Sequence, residues 1–237
     1  NVELNEVVVQ SFKQQRDLRL EPLSASAVTG TAIQNRNITG IKEFSSFIPN
    51  LFMPDYGSKL TSPVYIRGIG SKINAPSVGL YFEKSAFDFD FNEADRIEVL
   101  RGPQGTLYGR NTMGGIINVY TKSPLKYEGT NVWLSNGSYG YRNYALSHYK
   151  KIGEKFGYAI SGDYRNSDGY FTNLFTDKKA DDMKSGSARI RLEWKPQKNL
   201  SFGLMSSFDR SVQGGYPYAV CDSVTHKPGE VNYNDYS

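Results

Sequence analysis

Residues 96–120 read Arg96-Ile97-Glu98-Val99-Leu100-Arg101-Gly102-Pro103-Gln104-Gly105-Thr106-Leu107-Tyr108-Gly109-Arg110-Asn111-Thr112-Met113-Gly114-Gly115-Ile116-Ile117-Asn118-Val119-Tyr120. The ends of this stretch, 96–100 and 116–121, are rich in Ile and Val and predict strands. Between them, glycines at 102, 105, 109, 114 and 115 permit close chain approach and turns at positive φ. Glu98 and Arg101 are an odd number of residues apart, so a regular strand points them to opposite faces. The run from Gly102 to Thr112 misses the spacing of a phosphate-binding loop, and Arg110 stands in place of its lysine. Gly68-Ile69-Gly70 lacks the third glycine of a dinucleotide fingerprint.

Outward from this stretch, residues 23–28, 63–69 and 78–82 also read as strands. Thr29-Gly30-Thr31 can cap a short helix over 32–35. Ile41, Phe44 and Phe47 fall at i, i+3 and i+6, a short amphipathic helix stopped by Pro49. Together these elements predict a small α+β domain with a mixed sheet. Residues 4–9 form a short β-branched run, read either as an edge strand of this domain or as a strand offered to another protein.

At Ser123-Pro124 the sequence changes character, and strict alternation begins. Phe156, Tyr158, Ile160, Gly162 and Tyr164 alternate with Gly157, Ala159, Ser161, Asp163 and Arg165. Ala188, Ile190, Leu192 and Trp194 alternate with Arg189, Arg191, Glu193 and Lys195. Leu200, Phe202, Leu204 and Phe208 alternate with Ser201, Gly203, Ser207 and Asp209. Tight turns at 153–155 and 196–199 flank a long polar segment over 167–185. Period-two segments about ten residues long, joined alternately by short turns and long loops, mark a membrane β-barrel. A soluble β-rich binding or adhesion module gives the same alternation.

Composition removes several classes. Charged residues at 22% and hydrophobic residues at 38% do not describe a disordered chain. Tyr (17), Phe (13) and Gly (23) favour strands and tight turns. The single Cys221 excludes an internal disulfide framework and a Cys-based zinc site. No apolar run reaches the ~20 residues of a membrane helix, although barrel strands escape that criterion. A net charge of +4 is too small to point to nucleic acid. Residues 1–4 have neither the basic start nor the apolar core of a secretory leader, so the protein is either cytoplasmic or has lost one. Asp88, Asp90 and Asn92 begin like a calcium loop, but Glu93 takes the glycine position and Val99 the final Glu position. No acid, base or nucleophile set converges, so no enzyme, cofactor or resident metal is expected.

The 96–120 stretch resembles the plug-domain signature of TonB-dependent outer-membrane receptors. Val64-Tyr65-Ile66-Arg67-Gly68 and Val78-Gly79-Leu80-Tyr81-Phe82 resemble the strands preceding it in that family. Glu83-Lys84 departs from the usual acidic residue and glycine. Residues 4–9 look like the family's TonB box. The resemblance implies an N-terminal segment (1–15), an α+β plug domain with a mixed sheet (16–123) and antiparallel strands of an incomplete transmembrane β-barrel (124–237). A transporter barrel of about 22 strands needs ~220 wall residues; the 114 residues after Ser123 hold about five strands.

The implied activity is energy-coupled import of a scarce nutrient across the bacterial outer membrane, chiefly a ferric siderophore or related iron complex. Cobalamin and oligosaccharides are the alternatives within the family. The plug would sit in the barrel with its N-terminus in the periplasm. TonB would capture Glu6, Val7, Val8 and Val9 by strand addition. Arg67, Glu98 and Arg101 on the plug and Glu193 on the wall would make plug–barrel contacts. Outward plug loops would meet substrate through Met53, Tyr56, Ser71, Asn74, Phe87, Phe89 and Phe91; the three Phe equally suit one buried strand face. Outer-membrane lipid would surround the wall, and His148 is expected to be solvated or lumen-facing.

Overall fold

The computed structural model describes residues 8–9, 16–17, 24–36, 38, 41–54, 63–70, 77–82, 93–109, 111–173 and 177–215. The chain divides into two compact units between Lys122 and Ser123.

The first unit is built on a four-stranded sheet in the order β3-β7-β8-β6. Its strands are β3 (Ser24–Thr29), β6 (Val78–Phe82), β7 (Ala94–Arg101) and β8 (Gly115–Thr121). β7 pairs antiparallel with both β3 and β8, whereas β6 pairs parallel with β8, so the sheet is mixed. β7 and β8 are the two apolar ends of the 96–120 stretch. Ile97, Val99, Leu100, Ile116, Ile117 and Val119 are all fully buried there, each contributing about 1.5–3 kcal/mol of apolar burial. Helix α1 (Gly30–Asn35) starts at the Thr29 cap, whose side chain accepts the Ala32 N–H. Helix α2 (Ile41–Ser45) buries Phe44.

Two segments differ from their sequence reading. The strand expected over 63–69 is only β5 (Tyr65–Ile66), paired with β4 (Leu51–Phe52). Arg67 and Gly68 both take positive φ, 53° and 76°, and fold the chain back so that Ile66 bridges Ile69. Within the glycine run, Gly105–Tyr108 closes a helical turn, α3, between the two strands. Val8–Val9 (β1) and Arg16–Asp17 (β2) form a separate antiparallel pair.

The second unit is one antiparallel sheet in the order β15-β14-β11-β10-β9. It comprises β9 (Gly129–Asn136), β10 (Arg142–Ile152), β11 (Phe156–Ser167), β14 (Met183–Gln197) and β15 (Leu200–Gln213). A small hairpin, β12 (Thr172–Asn173) with β13 (Lys178–Lys179), lies in the 168–182 connection. There the Asp181 carboxylate accepts the backbone N–H groups of Tyr170 and Phe171 at 2.8–3.0 Å.

The alternation resolves into two faces of opposite character. Val132, Leu134, Leu146, Ile160, Ile190, Phe202, Leu204 and Phe208 share one face and are exposed, Leu134 at 70% and Phe208 at 69%. The opposite face is polar, and there Asn143 (0% exposed), Ser147, Ser161 and Arg189 are buried. This inverts the arrangement of a water-soluble sheet. An exposed apolar surface of this extent marks an interaction with something other than water, and apolar outside with polar inside is the pattern of a barrel wall in lipid. His148 lies on the apolar face, in register with Thr130 and hydrogen-bonded to its hydroxyl at 2.8 Å, so the lumen-facing placement does not hold.

Candidate functional site

In the four-stranded sheet of the first unit, one face is a hydrocarbon layer and the other carries a buried polar cluster. Cross-strand register places Glu98 opposite Asn118 and Arg96 opposite Tyr120. Glu98 is 0% exposed, and Arg96 Nε donates to its Oε1 at 2.8 Å. The same guanidinium stacks over the Tyr120 ring at 4.1 Å and lies 3.5 Å from the exposed Asp95 carboxylate. Asn118 donates to the Tyr108 hydroxyl at 3.2 Å, while the Tyr81 hydroxyl donates to the Tyr108 carbonyl at 2.9 Å. Asn118 Oδ1 has no hydrogen-bond partner among the described residues. The short helix α3 thus brings Tyr108 back over the sheet. Of these residues the sequence singled out only Glu98. The alternation of Arg96 with Glu98, and of Asn118 with Tyr120, was the signal for the others.

Burial raises the pKa of Tyr108 above the ordinary 10.0, opposed by the Asn118 hydrogen bond and reinforced by the Glu98 charge and by Tyr81; burial also raises that of Tyr81. Because folding raises both values, the neutral phenols contribute stability that is complete below the unfolded tyrosine's pKa of about 10. It is lost as pH rises through the higher folded values. Alkaline unfolding of the Y81F/Y108F double variant, followed by circular dichroism, should therefore fall off less steeply above pH ~10 than wild type. Identical profiles would remove the two phenols from the alkaline response.

The arginines gather at one end of the sheet. Arg101 Nη1 donates to Ser24 Oγ at 3.1 Å and Nη2 to Ser26 Oγ at 2.5 Å, leaving buried Nε without a partner among the described residues. Its pKa is lowered, first by burial and then by the charge of Arg67. Arg67 is itself exposed, with its N–H held by the Asn50 carbonyl at 2.8 Å. The same end exposes Phe52, Ile69 and Met113; Gly102 N–H bonds Gly114 O there, and a Cβ on Gly114 would touch Ile69.

The remaining predicted residues divide by location. Met53 is half-buried just after β4. Tyr56, Ser71, Asn74, Phe87, Phe89 and Phe91 lie outside the described residues, as do Glu6 and Val7; Val8 and Val9 form β1. Glu98 is occupied by Arg96 within its own unit. Glu193 is likewise occupied within the wall, by Arg191 at 2.6 Å and by the Ser123 hydroxyl at 2.5 Å.

A mixed α+β sheet followed by an antiparallel wall with an apolar outer face defines the plug-and-barrel class. Residues 17–116 match the TonB-dependent Receptor Plug Domain family, so this part of the chain is a plug domain of that family, and the antiparallel wall follows it directly. Solved structures share this fold. The ferric yersiniabactin uptake receptor FyuA of Yersinia pestis superposes with a TM-score of 0.70 at 21% identity, over 81% of this chain and 32% of that one. The ferripyoverdine receptor of Pseudomonas aeruginosa, bound to ferripyoverdine, gives 0.75 at 16% identity, over 95% and 31%. The siderophore receptor PirA of Pseudomonas aeruginosa gives 0.61 at 20%, over 81% and 36%. The chain spans about a third of the length of these structures.

Proposed function

We propose that the whole protein imports a ferric siderophore or a related iron chelate across the bacterial outer membrane, with energy supplied through TonB. The observation that carries this reading is a plug sheet followed in one chain by a wall whose apolar face is exposed and whose polar face is buried. A soluble adhesion module would bury the opposite face. The iron-chelate cargo is supported by the structural relatives, which are siderophore and ferric-chelate receptors. Met53 with Tyr56, Ser71, Asn74, Phe87, Phe89 and Phe91 is assigned to the same cargo. Arg67 and Arg101, with Glu98 and Glu193, are assigned to holding the plug in the barrel. The reading assigns binding and passage to the chain, with no enzymatic step.

TonB capture is assigned to Glu6, Val7, Val8 and Val9. β1 pairs with β2 over only two residues on each side, and an isolated pair of strands is marginally stable in water. Exchanging β2 for a partner strand therefore gives up little. Added main-chain hydrogen bonds supply the affinity, and β-branched side chains hold the extended form.

The test uses the intact receptor refolded in detergent, titrated with ferric siderophores, cobalamin, haem and oligosaccharides by intrinsic fluorescence. One iron chelate should saturate and strengthen retention of the TonB C-terminal domain. Val8→Pro removes a donor at the capture strand and should weaken that retention about tenfold or more, with chelate affinity unchanged. Binding of oligosaccharide or cobalamin alone would replace the cargo. Undiminished retention by V8P would overturn the capture assignment.

A further inference from the structure

We propose that the end of the wall remote from the plug junction carries a binding site for the phosphates of a lipid headgroup, formed by Arg142, Lys184 and Arg210. The proposal rests on reading the apolar face as membrane-embedded. Ladder register fixes the rows on that face. The terminal row runs Asn136–Arg142–Asn166–Lys184–Val212 across β9, β10, β11, β14 and β15. The row beneath it runs Leu134–Tyr144–Tyr164–Gly186–Arg210. Arg142 and Lys184 are two strand spacings apart, about 10 Å. Arg210 is the diagonal neighbour of Lys184, about 7–8 Å away.

All three cations are exposed, and their side chains make no ion pair or hydrogen bond among the described residues. At the opposite end of the same wall, Lys150 lies 3.7 Å from Glu128 on this face, while Lys195 and Lys198 are exposed. The rows also set a height. Lys184 stands ten residues from Trp194 along β14, which at ~3.3 Å per residue and a tilt of about 40° is roughly 25 Å, the apolar height of a barrel wall. Trp194 stacks on Phe202 at 5.4 Å at the lower margin. Tyr144, held to Asn136 Oδ1 at 3.0 Å, and Tyr164 form the upper aromatic margin, where such rings mark the interface. The open cations therefore sit at headgroup depth beside an acyl-chain surface. Clustered arginine and lysine at that depth recognise anionic lipid phosphate.

The experiment is native mass spectrometry of the intact receptor in detergent with added bisphosphorylated lipid A, alongside its dephosphorylated form. R142Q/K184Q/R210Q should retain at least about tenfold less bisphosphorylated lipid than wild type. K150Q/K198Q, at the other end, should match wild type, R142K/R210K should keep most of the binding, and dephosphorylated lipid should bind weakly throughout. Wild-type retention by the triple glutamine variant, or equal binding of both lipids, would overturn the proposal. Failure of wild type to insert into liposomes would overturn both this site and the membrane-embedded reading. Normal insertion with undiminished lipid retention would remove this site alone.

Discussion

Gly115→Ala should destabilise the plug by about 2–5 kcal/mol, from a strained dihedral and an overpacked contact acting together. Gly115 opens β8 opposite Arg101 at φ +143°, a conformation other residues rarely adopt. A Cβ there would collide with the Leu100 carbonyl oxygen, and would stand 3.0 Å from Ile66 Cδ1 and 3.3 Å from the Arg101 Cα. Backbone cannot yield as a flexible side chain does, so β7 and β8 would have to separate where their pairing begins. Hydrogen exchange of the β7 and β8 amides in the intact receptor measures this directly. Gly68→Ala is the matched control. Gly68 also has positive φ, +76°, but a Cβ there meets nothing within 4 Å, so only the dihedral strain of about 1 kcal/mol remains. Equal loss of protection in the two variants would show that the collision at Gly115 is relieved by relaxation.

Removing the cation from the buried pair is the second large effect. Arg96→Met should cost about 3 kcal/mol of plug stability, because the Glu98 carboxylate, at 0% exposure, loses its 2.8 Å ion pair with Arg96. The figure lies at the low end of the range for broken buried pairs because Arg96 keeps 21% of its side chain in solvent. Arg96→Lys should recover only part of the loss, since lysine lacks the planar group that both bonds Glu98 and stacks on Tyr120. In R96M/E98M the charge and its partner leave together, and most of the lost protection in β7 and β8 should return. A double variant as unstable as R96M alone would show that the pair is not the source of the effect.

The two effects mark the limit of what residue order conveys. The glycine at 115 is legible as a place for special backbone, and β7 and β8 are legible from Ile and Val content. Which atom the missing side chain would strike depends on Leu100 lying across the ladder. The charge on Glu98 is legible too, but the cation beside it is not. In the fold, Arg96 lies two residues away on the same face of the strand and takes its carboxylate. The helical turn at Gly105–Tyr108 was hidden for another reason. Glycines at both ends of the turn permit several local conformations, and the choice falls to Tyr108, whose hydroxyl accepts from Asn118 across the sheet.

Local chemistry was enough to define the mixed plug sheet and the run of alternating strands that follows it, because pleat geometry converts period two directly into two faces. Alternation cannot say which face meets solvent, since inverting the whole pattern leaves the period unchanged. The folded wall decided that, with Leu134 and Phe208 exposed and Asn143 buried. Register decided the rest. Arg142, Lys184 and Arg210 are scattered over 69 positions of sequence, and only hydrogen-bonded ladders between neighbouring strands align them at one edge of the apolar face.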